Sequence, residues 1–248
     1  MTTIDKAALK AEIMQERGYW ARFHDVLLDN NPEFLKAYVQ FQAAPTRSKV
    51  LEQKLCEFIY IAVDASVNHM YERGARRHMG FALKAGATKE ELLQVLLLTT
   101  VVAAHQPIDT GMAILAEELG EASPTLSPAQ KTAREGYTEA TGYWPAAGNL
   151  LLARSPEFAE AYMAYGKSVW ATGPLDRKYK ELIALAVCAA PTALFESGMQ
   201  RHIRGALAAG ASAEEISAVL QLSAAISVHT CTIGIPGWDD VLAGKLVE

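Results

Sequence analysis

Cysteine is scarce in this chain. Cys56, Cys188 and Cys231 are the only three in 248 residues, and no Cys-x-x-Cys pair exists. An odd number without framework spacing argues against disulfides and for reduced thiols in a cytoplasmic protein. The opening MTTIDKAALK lacks the apolar stretch of a signal peptide. The most apolar run, 92–104, holds Gln94 and two threonines and falls short of the roughly 20 residues a bilayer span needs, so no membrane partner is expected. Basic clustering is limited to Arg73, Arg76 and Arg77, against a formal net charge of −5, and this excludes an extended nucleic-acid surface. Strand signals are weak as well: no sustained alternation and no Asn-Gly or Asp-Gly turn.

What the chain does have is apolar residues, at 50%, with charged residues at only 21%. That composition buries a sizeable core and rules out wholesale disorder. It also has a repeat. YERGARRH at 71–78 returns as FESGMQRH at 195–202, shifted by 124 positions. At the same shift Gly18-Tyr19-Trp20 meets Gly142-Tyr143-Trp144, Glu57 meets Glu181, Ala85-Gly86-Ala87 meets Ala209-Gly210-Ala211, and His105 meets His229. No gap is needed, so the chain reads as a tandem duplication, 1–124 and 125–248. The join, GEASPTLSPAQ at 120–130, has the composition of a linker.

Each copy reads as helices, and the fold class is all-α. Leu51, Leu55, Phe58, Ile59, Ala62 and Val63 recur at helical spacing, predicting a helix with one apolar face. A second helix over 70–85 stops at Gly86 as a C′ glycine. Thr88-Lys89-Glu90-Glu91 and Ser212-Ala213-Glu214-Glu215 are capping boxes opening a third helix in each copy. That third helix, LLQVLLLTTVVAA, is apolar nearly all round and is expected to be central and buried. It is expected to end near His105, before Pro107, with another helix over 107–119. Helices are also expected at 33–44 and 157–170.

The texts KLCEFIYIAV…RRHMGFALKAGATKEELLQVL and KYKELIALAV…QRHIRGALAAGASAEEISAVL resemble the carboxymuconolactone decarboxylase family, which shares an all-α fold with the alkylhydroperoxidase AhpD. The resemblance covers about 70 residues of each copy and leaves the N-terminal third of each uncovered. It implies an AhpD-like fold in two tandem pseudo-symmetric repeats. It also implies ring assembly, so that a trimer of two-repeat chains mimics a hexamer. The peroxidase branch needs Cys-x-x-Cys before the histidine. Those places hold Tyr71 and Gly74, and Phe195 and Gly198, which form no thiolate. The decarboxylase branch relies on acid–base groups, and its Glu and His map to Glu57 and His78, and to Glu181 and His202. The chain departs from that branch in having Gly74 and Gly198 four places before the histidines, with Glu72 and Glu196 six before, and in having His105 and His229 where a glycine turn is common.

The resemblance therefore implies a cofactor-free decarboxylase or lyase acting on a small unsaturated carboxylic acid or lactone from aromatic breakdown. Glu57, Glu72, His78, His105, Glu181, Glu196, His202 and His229 are the candidate acid–base groups, and Arg77 and Arg201 the repeated cations for a substrate carboxylate. A carboxylate and an imidazole meeting in a poorly hydrated pocket acquire proton affinities suited to chemistry near neutrality. Each residue also has a structural reading. The histidines can be satisfied core groups. Glu57 can pair with Lys54 or Arg77, Glu72 can favour a helix start, and Arg77 can snorkel or pair with a carboxylate. His105 can serve a helix C-terminus, and the Gly-Tyr-Trp segments can be packing anchors rather than a binding platform. Two alternatives stand beside the main reading. One is a metal-dependent enzyme with Glu72, His78 and His105, or Glu196, His202 and His229, as ligands. The other is a non-catalytic oligomeric binding protein. The first copy is more polar around the motif, with Asp64, His69, Arg73, Arg76 and Asp109. It is expected to be the working one if only one works, although a pocket shared between copies is equally allowed.

Overall fold

The computed structural model describes residues 4–245, which contain no strand. In chain order the helices are α1 (Lys6–Arg17), α2 (Arg22–Asn30), α3 (Pro32–Arg47), α4 (Gln53–Ala65), α5 (Glu72–Lys84), α6 (Lys89–Ala103), α7 (Met112–Glu118), α8 (Pro128–Thr141), α9 (Gly148–Arg154), α10 (Pro156–Trp170), α11 (Arg177–Ala189), α12 (Glu196–Ala208), α13 (Ala213–Ala225) and α14 (His229–Leu242). The repeated signals act as punctuation. Gly18 and Gly142 both take φ +69° and end α1 and α8, a left-handed conformation that costs glycine nothing. Thr88 and Glu91 exchange hydrogen bonds at 3.1 and 2.8 Å, and Ser212 and Glu215 do the same at the same distances. Lys54 pairs with Glu91 at 2.9 Å and Lys178 with Glu215 at 2.9 Å.

The chain divides into two compact units, and these are not the two sequence copies. One comprises 1–50 with 224–248; the other is 51–223. In the first, α1, α2 and α3 close over Leu9, Ile13, Phe23, Leu27, Leu35 and Val39, and Val228, Cys231 and Ile235 from the end of the chain complete that core. In the second, Ile108 and Met112 from the end of the first copy pack on Leu126, Tyr137, Leu151, Tyr162 and Met163 from the start of the second. Each copy thus lends its last helix to the N-terminal helices of the other copy.

The centre of the 51–223 unit is α4 against α11, with α6 packed on both. Leu55–Asp64 and Lys180–Cys188 are buried without interruption. Side chains such as Phe58, Ile59, Leu182 and Ile183 are sealed from water, each stabilising by about 1.5–3 kcal/mol. The expected single apolar face of α4 is therefore a helix buried all round. Conversely α6, expected to be buried, leaves Leu93 and Leu97 exposed. Its inner face carries Gln94, whose Oε1 accepts from Leu175 N at 2.7 Å and whose Nε2 donates to Val169 O at 3.3 Å.

The third helix, α6, ends at Ala103, close to His105 as expected, but the chain stays helical beyond it. Pro107–Gly111 forms a π-helical turn that runs directly into α7. Pro107, which has no backbone N–H to donate, is the first residue of this turn. One consequence is that 89–118 and 213–242 are each helical runs of 30 residues with the length and composition to cross a bilayer, against the expectation from the 92–104 run. The α6 part of the first run is packed on α4, α10 and α11, as a core helix of a globular unit is. All three cysteines are free.

Candidate active site

The central helix pair of the 51–223 unit presents two carboxylate–imidazole dyads. Glu57 on α4 meets His78 on α5, Oε2 to Nδ1 at 2.7 Å, and Glu181 on α11 meets His202 on α12 in the same way, also at 2.7 Å. Lys54, a candidate partner for Glu57, is taken by Glu91 instead. The two dyads differ in what surrounds them. His78 is covered by the Tyr60 ring, stacked at 4.6 Å, and by the Phe81 ring, edge-on at 6.1 Å. The corresponding places in the second copy are Ala184 and Gly205, and a cavity of about 550 Å³ opens there. Within this unit that cavity adjoins the second copy's dyad. His105, Tyr143, Trp144, Trp170, Arg201 and His202 line it.

Arg201 is the hub of this pocket. Its Nη1 donates to Asp109 Oδ2 at 2.9 Å, its Nη2 to His105 Nδ1 at 2.7 Å and its Nε to His202 Nε2 at 3.3 Å. Its guanidinium lies 4.0 Å from the Tyr143 ring centroid, and Tyr143 Oη donates to Asp109 Oδ2 at 2.6 Å. Guanidinium has donors only, so both imidazole nitrogens that face it must be acceptors, and the tautomers follow. His202 carries its proton on Nδ1, donated to Glu181, and keeps a lone pair on Nε2. His105 carries its proton on Nε2. Burial, reinforced by Arg201, pushes His202 down to about 4 even though Glu181 opposes the shift. The same two causes hold His105 well below the usual histidine range. Burial lifts Asp109 above the usual carboxylate range, with Arg201 and Tyr143 opposing. Both imidazoles are neutral at pH 7, one set to accept a proton and one to donate a hydrogen bond.

On the other side of the dyad, Arg177 on the first turn of α11 donates from Nε to Glu181 Oε1 at 2.8 Å, four residues along the same helix. Trp170 stacks on His202 with centroids 5.7 Å apart and planes within 8°. Gly205 is what allows the carboxylate its place, because a Cβ there would lie 2.4 Å from Glu181 Cδ. Gly205→Ala is therefore expected to displace Glu181 and reduce kcat/KM by about 10²-fold. Paired steady-state kinetics and melting curves check this; a folded variant with wild-type kcat/KM would refute it.

The other sequence candidates lie elsewhere. Glu72 is exposed and pairs with Arg76 at 2.7 Å; Glu196 is exposed at the start of α12. Six residues rotate a helix by roughly 240° from its histidine, so neither glutamate shares the dyad's face. The Glu72, His78 and His105 metal set is accordingly not assembled, since His105 is held by Arg201 beside His202. Arg77 lies half-buried near Asp64, a carboxyl that burial pushes up to about 8. His229 opens α14 in the other unit.

Four residues escaped the sequence reading as site residues: Tyr143 and Trp170, which line the cavity, and Asp109 and Arg177, which hold its lining residues Arg201 and Glu181. Asp109 lies four residues after His105 and Arg177 four before Glu181, and this spacing was the available signal. Tyr143, read as a packing anchor, has its hydroxyl on Asp109; its neighbour Trp144 anchors to Asn149 Oδ1 at 3.1 Å and also lines the cavity. Nothing in the sequence singled out Trp170.

The carboxymuconolactone decarboxylase family model matches residues 32–117 and 156–228. A crystal structure from Burkholderia xenovorans LB400, described provisionally as a gamma-carboxymuconolactone decarboxylase subunit, superposes with a TM-score of 0.89 at 31% identity, over 98% of this chain and 99% of that one. No functionally curated protein matches the chain.

Proposed function

Because the chain belongs to the carboxymuconolactone decarboxylase family, we propose that it is a lyase-type enzyme that decarboxylates a small unsaturated carboxylic acid or lactone at the Glu181–His202 dyad. The observation that carries this reading is the dyad's geometry: an imidazole with its tautomer fixed by Glu181 and its free nitrogen beside a guanidinium, at the wall of a cavity of about 550 Å³. A substrate carboxylate or ring carbonyl finds donors in the N–H groups of Arg201. As the C–C bond to the carboxylate breaks, CO₂ leaves and the electron pair passes into the conjugated carbonyl, where donors to the developing oxyanion act most strongly. The carbanion is then protonated at carbon, so one proton is taken up per turnover. His202 handles that proton. An anion held by Arg201 cancels part of the positive charge that keeps the imidazole neutral, so substrate binding itself raises its proton affinity. Incubation with carboxymuconolactone and related keto acids, following CO₂ release, tests the reading; no turnover of any of them would sink it.

A second reading, isomerisation of the same substrate class, is favoured by the neutral state of His202. A neutral base takes a proton beside a carbonyl and returns it along the conjugated system without net uptake. Proton exchange from solvent D₂O without CO₂ release distinguishes it.

We also propose that the chain assembles with copies of itself, as a trimer of two-repeat chains. Leu83 on α5, Leu93 and Leu97 on α6 and Ile114 on α7 are exposed, and large apolar side chains left in water suit a surface that a further copy covers. Light scattering is expected to give three times the 26.9 kDa chain mass; a monomer at micromolar concentration would overturn it.

A further inference from the structure

Arg177 is bound more elaborately than a helix-surface arginine needs to be. Its Nε and Nη2 reach Glu181 Oε1 at 2.8 and 2.6 Å, leaving Oε2 for His202. Its Nη2 also donates to the Thr141 carbonyl at the end of α8, and its guanidinium lies 4.7 Å from the Trp170 ring, the same ring that stacks on His202. Two glycines clear the space for this arrangement. A Cβ on Gly142 would lie 2.5 Å from Arg177 Nη2, and one on Gly205 would lie 2.5 Å from Glu181 Oε1. The first copy keeps one of these glycines, as Gly18, but not the rest. Gln53, Thr46 and Phe81 stand where the second copy has Arg177, Trp170 and Gly205, and Gln53 donates to Glu57 with no charge to offer.

We propose that Arg177 is a positioning residue for the dyad: by occupying one oxygen of Glu181 and neutralising its charge, it keeps His202 a neutral acceptor. The inference concerns the site of the proposed decarboxylation but is read out without substrate, so the two can fail separately. The physical argument is a balance. A bare buried carboxylate 2.7 Å from an imidazole favours the imidazolium strongly. A guanidinium on the far oxygen opposes that field while leaving the hydrogen bond intact. The other groups facing His202 are Arg201 beside it on α12 and neutral His105 after α6. Arg201 works in the same direction as Arg177, and neither of these groups is altered by a change at position 177.

The test is an NMR titration of the His202 imidazole in substrate-free protein, assigned by the resonance missing from His202→Asn. In the wild type the resonance is expected to titrate below pH 5. In Arg177→Gln, which installs the first copy's residue, the midpoint is expected to rise by about one unit or more. Arg177→Lys, which keeps the charge, is expected to stay near wild type. An unmoved midpoint in folded Arg177→Gln overturns the proposal. So does an equal rise in Arg177→Lys, since charge would then not be the cause. A purely structural arginine would lower the melting temperature of both variants and leave the midpoints alone.

Discussion

Replacing His202 by asparagine is expected to lower kcat/KM on the decarboxylated substrate by about 10²–10⁴, the usual contribution of a positioned proton-transfer group, while His78→Asn leaves it near wild type. Asparagine keeps a nitrogen donor for Glu181, so the fold is retained and the loss reports chemistry. The contrast between two near-identical dyads is what makes the experiment decisive. Both have the 2.7 Å Glu–His bond, so a structural role common to both would make the two substitutions equivalent. The surroundings differ: His202 lines the cavity of about 550 Å³, and the rings of Tyr60 and Phe81 lie against His78. Glu181→Gln should fall between the two, because the amide can still accept from Nδ1 but no longer offsets the positive charge of an imidazolium. Equal losses for His78→Asn and His202→Asn would place catalysis in both copies or in neither.

The dyads, with His105 and Arg201, were legible in the sequence, and the rest of the pocket was not, for a physical reason. Repetition at a shift of 124 picks out residues that both copies keep, and Glu57/Glu181, His78/His202 and the capping boxes are such residues. Part of the open site is built from residues the copies do not share. Asp109, Trp170, Arg177 and Gly205 face Ile233, Thr46, Gln53 and Phe81 at the same shift. Self-comparison therefore hides what distinguishes the surroundings of one dyad from those of the other. The crossing of the last helices was equally invisible. His105 and Asp109 come from the first copy and sit against Arg201 of the second, so the boundary at 124, sound as a repeat boundary, does not enclose a site. The apolar count misjudged α6 and α4 for a related reason. Composition tells how much of a helix avoids water, but not whether its outer face meets its own chain. Charge pairs at helical spacing carried more information than they were given: Arg177 with Glu181 and His105 with Asp109 both lie at i, i+4.

Arg201→Met is expected to destabilise the protein by about 3–5 kcal/mol at neutral pH, the cost of leaving a buried charge without its partner. Methionine fills similar volume, so the loss reports electrostatics rather than a cavity. The stranded group is Asp109: its Oδ2 loses the guanidinium and keeps only Tyr143, and its Oδ1, already sealed from water, has no hydrogen-bond partner among the described residues. The pH dependence follows from the direction of the shift. Burial already raises the Asp109 pKa and Arg201 opposes it, so removing Arg201 raises it further. A carboxyl with a folded-state pKa above its unfolded value contributes stability below the unfolded pKa and loses it as pH rises through the folded one. The deficit of Arg201→Met should therefore be smaller at pH 5 than at pH 8. His105 and His202 reinforce this, since without Arg201 each protonates more readily in the folded state and tolerates acid better. Adding Asp109→Asn should restore part of the loss at pH 8 and little at pH 5. Urea unfolding of the single and double variants at the two pH values measures all of this. A deficit independent of pH, or one that Asp109→Asn deepens at pH 8, would mean that Arg201 holds the pocket by packing alone, and the tautomers assigned to His105 and His202 would lose their basis.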